Sequence, residues 1–532
     1  MRGRLYLAQA RAAWGEVGVL SSVRKLGAIQ RETSMLLSML RTGFRYWRGQ
    51  RPHVEDMEQI VRYMRNRRAR GLPALPAGLA GQMQGIGGSR SSKRVEELQT
   101  RKLRETVEYV YRYVPFYREA MDAADVKPAD VCSLADVYKL PITRRDQLCE
   151  NGSAFISRYP GLIPSVAVQT GGTTGKPVRV YMTNEELQYY AAGEAITGLI
   201  MGWLGPAEIM QRHFASEPTI AGVIITAAAH KAGTLVIVPD PSDTLDDHVE
   251  SIFCERDIPG KRSKVSLLMI SPPHLWALTR RAEEMGMEFA QSGLKRIQVG
   301  GATVTTDLKQ RVLETWGIAL HEGYGVTEAF TVAAGACDQS EQLHFTDMTG
   351  YAEALDPKTG EPVPPGEPGV LTITTFYPDR ELMPLLRYWT GDLVILSPQR
   401  TCACGIPTTQ IVRIVGRVDH MVTVGGRNFY PQAIGDSLLG FAELVLPPRF
   451  TLSTEQRRDA QYAILDVEVR EGISEGEREQ LVQRLKNGIN LSRYWEVEIG
   501  AVNLVVNLHA PGSIEHPFVY KHADLVVKRR AE

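Results

Sequence analysis

The segment from Thr170 to Pro177, TGGTTGKP, brings three glycines, three threonines and one lysine into eight residues. Glycines let backbone N–H groups approach a ligand closely, threonines add hydroxyl donors, and Lys176 adds an ammonium. That combination suits a phosphate chain. It does not match the G-x-x-x-x-G-K-[ST] nucleotide loop, because Pro177 stands where Ser or Thr is required and position 170 is Thr. Valine-containing, strand-like sequence flanks it on both sides, so a plain hairpin turn is the competing reading.

A second set of chemistry-bearing residues is Cys337 and His344 in GACDQSEQLH, with Cys402 and Cys404 in TCACG. Four such ligands in two pairs suit a tetrahedral structural Zn²⁺. The C-x-C spacing is tighter than the usual C-x₂-C, and buried free thiols are the alternative. Cys132, Cys149 and Cys254 have no partners in sequence and read as packing residues. No Ser-His-Asp arrangement stands out, and His213, His230, His248 and His274 are scattered along the chain.

The elements that must position these residues read as strands wrapped by helices. The segments VEELQTRKLRETVEYVYRYV, NEELQYYAAGEAITGLI and TTDLKQRVLETW have helical periodicity. They alternate with the β-branched runs TLVIVP, VSLLMI and RIQVG. Around residues 350–400 the texture changes to short strands and turns, which predicts a smaller β subdomain. After IVGRVDH, an α+β tail reads as a compact separate domain. Residues 1–70 carry helical periodicity rich in arginine, read as a helical arm packed on its own protein or a membrane-surface helix. Residues 71–92 are a Gly/Pro/Ser-rich linker.

The 532 residues suffice for several domains and a sizeable core. Lys plus Arg and Asp plus Glu both number 61, and this balance argues against a general nucleic-acid-binding surface. No apolar run is long enough for a membrane span. Six sparse cysteines fit a reducing, cytoplasmic location. The basic N-terminus, MRGRLYLAQARAAW, reads as a transit peptide or as a basic helix on a folded extension.

Taken in order, TGGTTGKP, GGA (300–302), YGVTE (324–328), RYWTGDL (387–393), IVGRVDHMVTVGGRNFYP (414–431) and a lysine near PGSIEHPFVYK (511–521) resemble the adenylate-forming superfamily. That superfamily comprises acyl-CoA synthetases, adenylation domains and luciferases, and the chain is most similar to its phenylacetate-CoA ligase-like branch. The resemblance runs from about residue 96 to 530. It implies an α/β fold with a large N-terminal adenylate-forming domain over 96–417 and a small mobile α+β domain over 418–532. Residues 1–95 remain a helical extension and linker.

The resemblance further implies an AMP-forming acid–thiol ligase using ATP, Mg²⁺ and coenzyme A on a carboxylic acid, aromatic by analogy. Other acceptors (a carrier-protein thiol, an amine, an inorganic nucleophile) and a non-catalytic nucleotide-binding relative stay open. In this reading Thr170, Gly171, Gly172, Thr173, Thr174, Gly175 and Lys176 wrap the β- and γ-phosphates. Gly300, Gly301 and Ala302 floor the adenine, and Tyr324 and Gly325 lie beside it. Thr327 contacts the α-phosphate and Glu328 holds Mg²⁺; a strand end followed by a helix cap is the competing reading of that motif. Asp392 accepts the ribose hydroxyls, with Arg417 on the ribose or phosphate. Asp419 marks the hinge, and Phe214 lines the acyl site. Gly425 and Gly426 let a strand pass a pantetheine arm. The catalytic lysine is Lys521, with Lys528 as runner-up. Some members of the branch carry a zinc on residues like Cys337, His344, Cys402 and Cys404.

Overall fold

The apolar runs singled out above each contain a strand. The structure, a computed structural model, describes residues 34–46, 48–76, 92–170, 177–213, 219–240, 242–302, 304, 306–337, 339–399, 402–404, 408–418, 422–424, 427–429, 431–445, 448–457, 460–488 and 503–515. A short antiparallel hairpin comes first, β1 (Val166–Gln169) and β2 (Arg179–Met182). Five parallel strands follow: β3 (Ile209–Arg212), β4 (Leu235–Ile237), β5 (Leu267–Ile270), β6 (Arg296–Gly300) and β7 (Leu320–Tyr324). β5 is buried at every position, as a parallel strand covered on both faces must be.

The next six strands are antiparallel: β8 (Ala334–Cys337), β9 (Ser340–Phe345), β10 (Gly350–Leu355), β11 (Pro368–Thr375), β12 (Tyr388–Leu396) and β13 (Gln410–Arg417). They do not stand apart from the parallel strands. β8 pairs with β7, and β9 pairs with β13, so all eleven form one sheet in the order β10-β11-β12-β13-β9-β8-β7-β6-β5-β3-β4. The short strands over 350–400 belong to the antiparallel part of that sheet, which begins at β8.

Helices cover the sheet. The helix Asn184–Met201 starts on a capping box: Thr183 Oγ1 accepts from Glu186 N, and Glu186 Oε2 accepts from Thr183 N. The other Glu186 oxygen, Oε1, accepts a 3.1 Å bond from Arg380, and both side chains are wholly buried. Arg380 also donates to the Tyr181 carbonyl in β2. This one ion pair therefore locks the hairpin to the helix behind it and to the loop after β11. Nearby, buried Lys102 pairs with Asp379, which also accepts from the Tyr189 hydroxyl at 3.0 Å. The helices 34–46 and Val54–Arg68 lie on the same body, with Met57, Ile60, Val61 and Met64 in one core with Tyr189, Ala192 and Leu199.

Beyond β13 come β14 (Val422–Val424) and β15 (Arg427–Phe429), then an α+β unit. There β16 (Phe450–Arg457), β17 (Ala460–Glu468) and β18 (Asn503–His509) form a three-stranded sheet. Phe450, Leu465, Leu481 and Leu485 are buried in its own core. Among the described residues, no helix is long and apolar enough to cross a membrane.

Candidate active site

β1 and β2 pair from Val166↔Met182 to Gln169↔Arg179, so the chain between them must reverse direction. The hairpin reading holds at its two ends: the segment TGGTTGKP joins two paired strands. Buried Thr170 extends the ladder; its N–H donates to the Val178 carbonyl at 3.0 Å, and Val178 N–H donates to Thr170 Oγ1 at 3.0 Å. Gly171, Gly172, Thr173, Thr174, Gly175 and Lys176 lie outside the described residues.

The base of that hairpin touches Glu328 through a residue the sequence reading did not select. Arg145 donates from Nη2 to Thr170 Oγ1 at 3.2 Å and from Nη1 to Glu328 Oε1 at 3.1 Å. The Tyr388 hydroxyl donates to the same Glu328 oxygen at 2.9 Å. Segment 143–145 is held against β12 by backbone bonds from Thr143 N to Arg387 O and from Trp389 N to Thr143 O. Arg144 stacks over Trp389 at 4.3 Å. Tyr388 sits in the quoted RYWTGDL motif and was legible as a neighbour of Asp392. Arg145 carried no local signal.

Glu328 is buried and Thr327 half-buried, in the turn that follows β7. Residues 328–331 form a turn and no helix, so the helix-cap alternative for this motif does not hold. Tyr324 ends β7, and exposed Gly325 follows it. The Tyr324 hydroxyl donates to Asp392 Oδ2 at 2.7 Å. Arg417 donates to Asp392 Oδ1 at 3.0 Å and to the Thr390 carbonyl at 3.2 Å. Asp392 and Arg417 are direct cross-strand partners on β12 and β13. Burial, and then the adjacent carboxylates, hold the Tyr324 and Tyr388 hydroxyls well above the usual phenol range. Both therefore remain proton donors to their carboxylates near neutral pH.

Gly300 ends β6 opposite Gly323 of β7, and Gly301 follows at φ +78°, a conformation that favours glycine. Ala302 is half-buried beside it. These residues share the carboxyl edge of the parallel strands with Tyr324, where open α/β sheets bind ligands. Phe214, Asp419, Gly425, Gly426, Lys521 and Lys528 lie outside the described residues.

The cysteine–histidine set is brought together in part. One ligand atom from each of His344, Cys402 and Cys404 lies within 4.8 Å of the others. His344 Nδ1 bonds Thr408 Oγ1 at 2.9 Å, while Nε2 lies 4.0 Å from Cys404 Sγ. Burial lowers the His344 pKa, which favours the neutral ligand form. Cys337 ends β8, the strand paired with the β9 that carries His344. The histidines read as scattered do not stay so: His213, His248 and His274 converge in the interior.

Comparison with known proteins points one way. The family of AMP-binding enzymes matches residues 164–376. The phenylacetate-coenzyme A ligase of Thermus thermophilus is 28% identical over 71% of this chain and 82% of its own length. That of Aromatoleum evansii is 27% identical over 83% and 96%, and that of Escherichia coli 26% identical over 74% and 88%. Among solved structures, a 2-hydroxyisobutyryl-CoA ligase complexed with 2-HIB-AMP superposes with a TM-score of 0.66 at 20% identity. The match covers 80% of this chain and 88% of that one, a likeness of fold.

Proposed function

We propose that this chain, which belongs to the adenylate-forming superfamily and within it to the phenylacetate-CoA ligase-like branch, activates a carboxylic acid with ATP and passes the acyl group to coenzyme A. In the first half-reaction a carboxylate oxygen attacks the α-phosphorus. The new O–P bond forms as the bond to the β-phosphate bridging oxygen breaks, and pyrophosphate leaves. In the second, the coenzyme A sulfur attacks the acyl carbon, its proton passes to solvent, the acyl C–O bond breaks and AMP leaves.

The observation that carries this reading is one carboxylate held to the base of the hairpin and a second held between the ends of β7 and β13. Glu328 reaches Thr170 through Arg145, and Asp392 sits between Tyr324 and Arg417. Asp392 suits the ribose because a carboxylate offers two acceptor oxygens to a diol. Arg417 supplies positive charge beside it. Thr170 and the six residues after it cup the β- and γ-phosphates, with Thr327 on the α-phosphate. Gly300, Gly301 and Ala302 form the adenine floor beneath Tyr324. The carboxylate of Glu328 is the hard oxygen donor that Mg²⁺ takes, and the bound ion neutralises phosphate charge. Lys521 bridges the carboxylate and the α-phosphate, and Asp419 is the hinge about which the domain from residue 418 turns between half-reactions. Gly425 and Gly426 flank the pantetheine path and Phe214 the acyl group. The acid is aromatic, in keeping with the phenylacetate and ferulate ligases among the relatives.

His344, Cys402 and Cys404, with Cys337 as the fourth ligand, hold a structural zinc. The three described ligand atoms are already close, and thiolates with a neutral imidazole are the donor set this ion prefers. A closed site of this kind braces the link between β9 and the chain entering β13.

The deciding experiment measures pyrophosphate release over a panel of arylacetic, benzoic, cinnamic and fatty acids, with and without coenzyme A. Release with thioester formation is expected. Release without transfer would redirect the second half-reaction to another acceptor. ATP binding without release from any acid would overturn the proposal.

A further inference from the structure

Three histidines from separate parts of the chain meet at the carboxyl ends of the parallel strands. His213 follows β3, and its N–H donates to the Met269 carbonyl of β5 at 2.7 Å. His248 lies on the helix Leu245–Phe253, and His274 is the third residue of the helix Pro272–Glu284. Their exposures are 6%, 5% and 0%. The ring centroids of His213 lie 4.7 Å from each of the other two, which are 5.3 Å apart. One ring nitrogen of each lies within 4.8 Å of the others.

An ordinary hydrogen-bonded cluster accounts poorly for this arrangement. His248 Nδ1 and His274 Nε2 face each other at 3.3 Å, long for a bond between two nitrogens. Buried Gln211 Oε1, beside the trio, has no hydrogen-bond partner. Leaving such groups unsatisfied is costly. Burial and the neighbouring imidazoles hold His213 well below its usual pKa, and burial lowers His248 despite Asp243 and Asp247 nearby. Arg212 is on the opposite face of β3 by strand alternation, while Gln211 shares the face of His213 and contacts its Nε2 at 2.8 Å.

We propose that His213, His248 and His274 form a binding site for a divalent transition-metal ion of the zinc class, distinct from the cysteine site. An ion held by imidazoles at about 2.0–2.1 Å in tetrahedral geometry sets its ligand nitrogens about 3.3–3.4 Å apart. The His248–His274 edge already has that length. The other edges, within 4.8 Å, shorten to that length through rotation of the His213 ring, which exchanges its Gln211 contact for the ion. Gln211 keeps its 3.0 Å bond to the His248 carbonyl. Three imidazoles leave a fourth position for water or for an oxygen or nitrogen of a ligand. The site lies at the carboxyl ends of β3 and β5, on the same sheet edge as Gly300 and Tyr324. It stands whether or not the chain adenylates an acid.

The test uses the full chain, stripped with a chelator and titrated with Co²⁺, in parallel with elemental analysis after zinc loading. A Cys402→Ser/Cys404→Ser variant removes the cysteine site. In that background one equivalent of metal is expected, with ligand-field absorption and no sulfur-to-metal charge transfer. Adding His248→Ala should weaken binding by about 100-fold or more. His248→Gln and His274→Asn, which preserve more of the packing, should do the same while the chelated proteins keep their circular dichroism and melting temperature. Zinc should raise the melting temperature of the parent and not of the histidine variants. Absence of metal in the cysteine-free parent, or unchanged binding in a folded histidine variant, overturns the proposal. Pyrophosphate release from the same samples reports on adenylation separately.

Discussion

The Tyr324 hydroxyl and Asp392 Oδ2 are 2.7 Å apart, although β7 and β12 have β8, β9 and β13 between them in the sheet. Four strand spacings in a flat sheet would separate them by about 19 Å. The contact therefore requires the antiparallel half to curl over the carboxyl edge of the parallel half. That curl brings Asp392 to Tyr324 and Tyr388 to Glu328.

If Asp392 grips the ribose, the wild-type enzyme prefers ATP to its 2′- and 3′-deoxy analogues. Asp392→Ala should lower kcat/KM for ATP by about 10–100-fold, the equivalent of about 1–3 kcal/mol for a lost charged hydrogen bond. The preference between ATP and deoxy-ATP should shrink with it. A preference that survives intact in the variant places the sugar elsewhere.

Glu328→Gln keeps an oxygen to accept from Tyr388 and removes the charge. Adenylation should fall by about 10²–10³-fold, in the range for loss of one strong electrostatic contact at a reacting centre. The Mg²⁺ concentration giving half-maximal pyrophosphate release should rise. An unmoved Mg²⁺ titration would show that another group holds the ion.

How much of this was legible beforehand follows from the range of each signal. TLVIVP, VSLLMI and RIQVG contain β4, β5 and β6, and NEELQYYAAGEAITGLI lies within the helix Asn184–Met201, because pattern and capping act over a few residues. The strand-like sequence on either side of TGGTTGKP announced a hairpin, and β1 and β2 pair there. By contrast, the Arg145–Glu328 contact spans 183 residues, and nothing in ITRRDQL distinguishes Arg145 from Arg144. The histidine trio was illegible for the same reason: three lone histidines on three elements meet only once the parallel pairing is known. The joining of the β9 and β13 ladders likewise depends on long-range registration that local texture does not contain.

The lysine expected from the tail is tested by charge. Lys521→Ala should cut adenylation by orders of magnitude, about 10²–10³-fold or more, with ATP binding nearly unchanged, because the lost contact matters most as charge builds at phosphorus. Lys528→Ala is the control, expected to keep wild-type rates. Reversal of the two results would assign the role to Lys528.

The Glu186–Arg380 pair makes a prediction about the scaffold. Glu186→Gln leaves a buried guanidinium without its counter-charge and weakens the cap on the helix Asn184–Met201. Breaking one side of a buried pair costs about 3–5 kcal/mol. Equilibrium denaturation should show that loss. Replacing both partners with apolar residues should recover part of it, which a purely local capping effect would not allow.

Alkaline pH should unfold the protein through its tyrosines. Burial is the largest cause raising Tyr109, Tyr117, Tyr189, Tyr190, Tyr324 and Tyr388 above the ordinary phenol value of 10.0. The unfolded chain sheds these protons from pH 10 upward while the folded chain keeps them. Stability is thus unaffected below that value and falls above it, each group contributing up to about 1.4 kcal/mol per pH unit. Tyrosinate absorbance and far-ultraviolet circular dichroism followed together should show two stages. Exposed tyrosines ionise first without loss of structure, and the buried ones ionise only as the helices melt. Because Tyr324 and Tyr388 stay protonated until then, Asp392 and Glu328 retain their hydrogen bonds up to the unfolding transition. Complete tyrosine ionisation in a protein that keeps its circular dichroism would show that these hydroxyls are not buried donors.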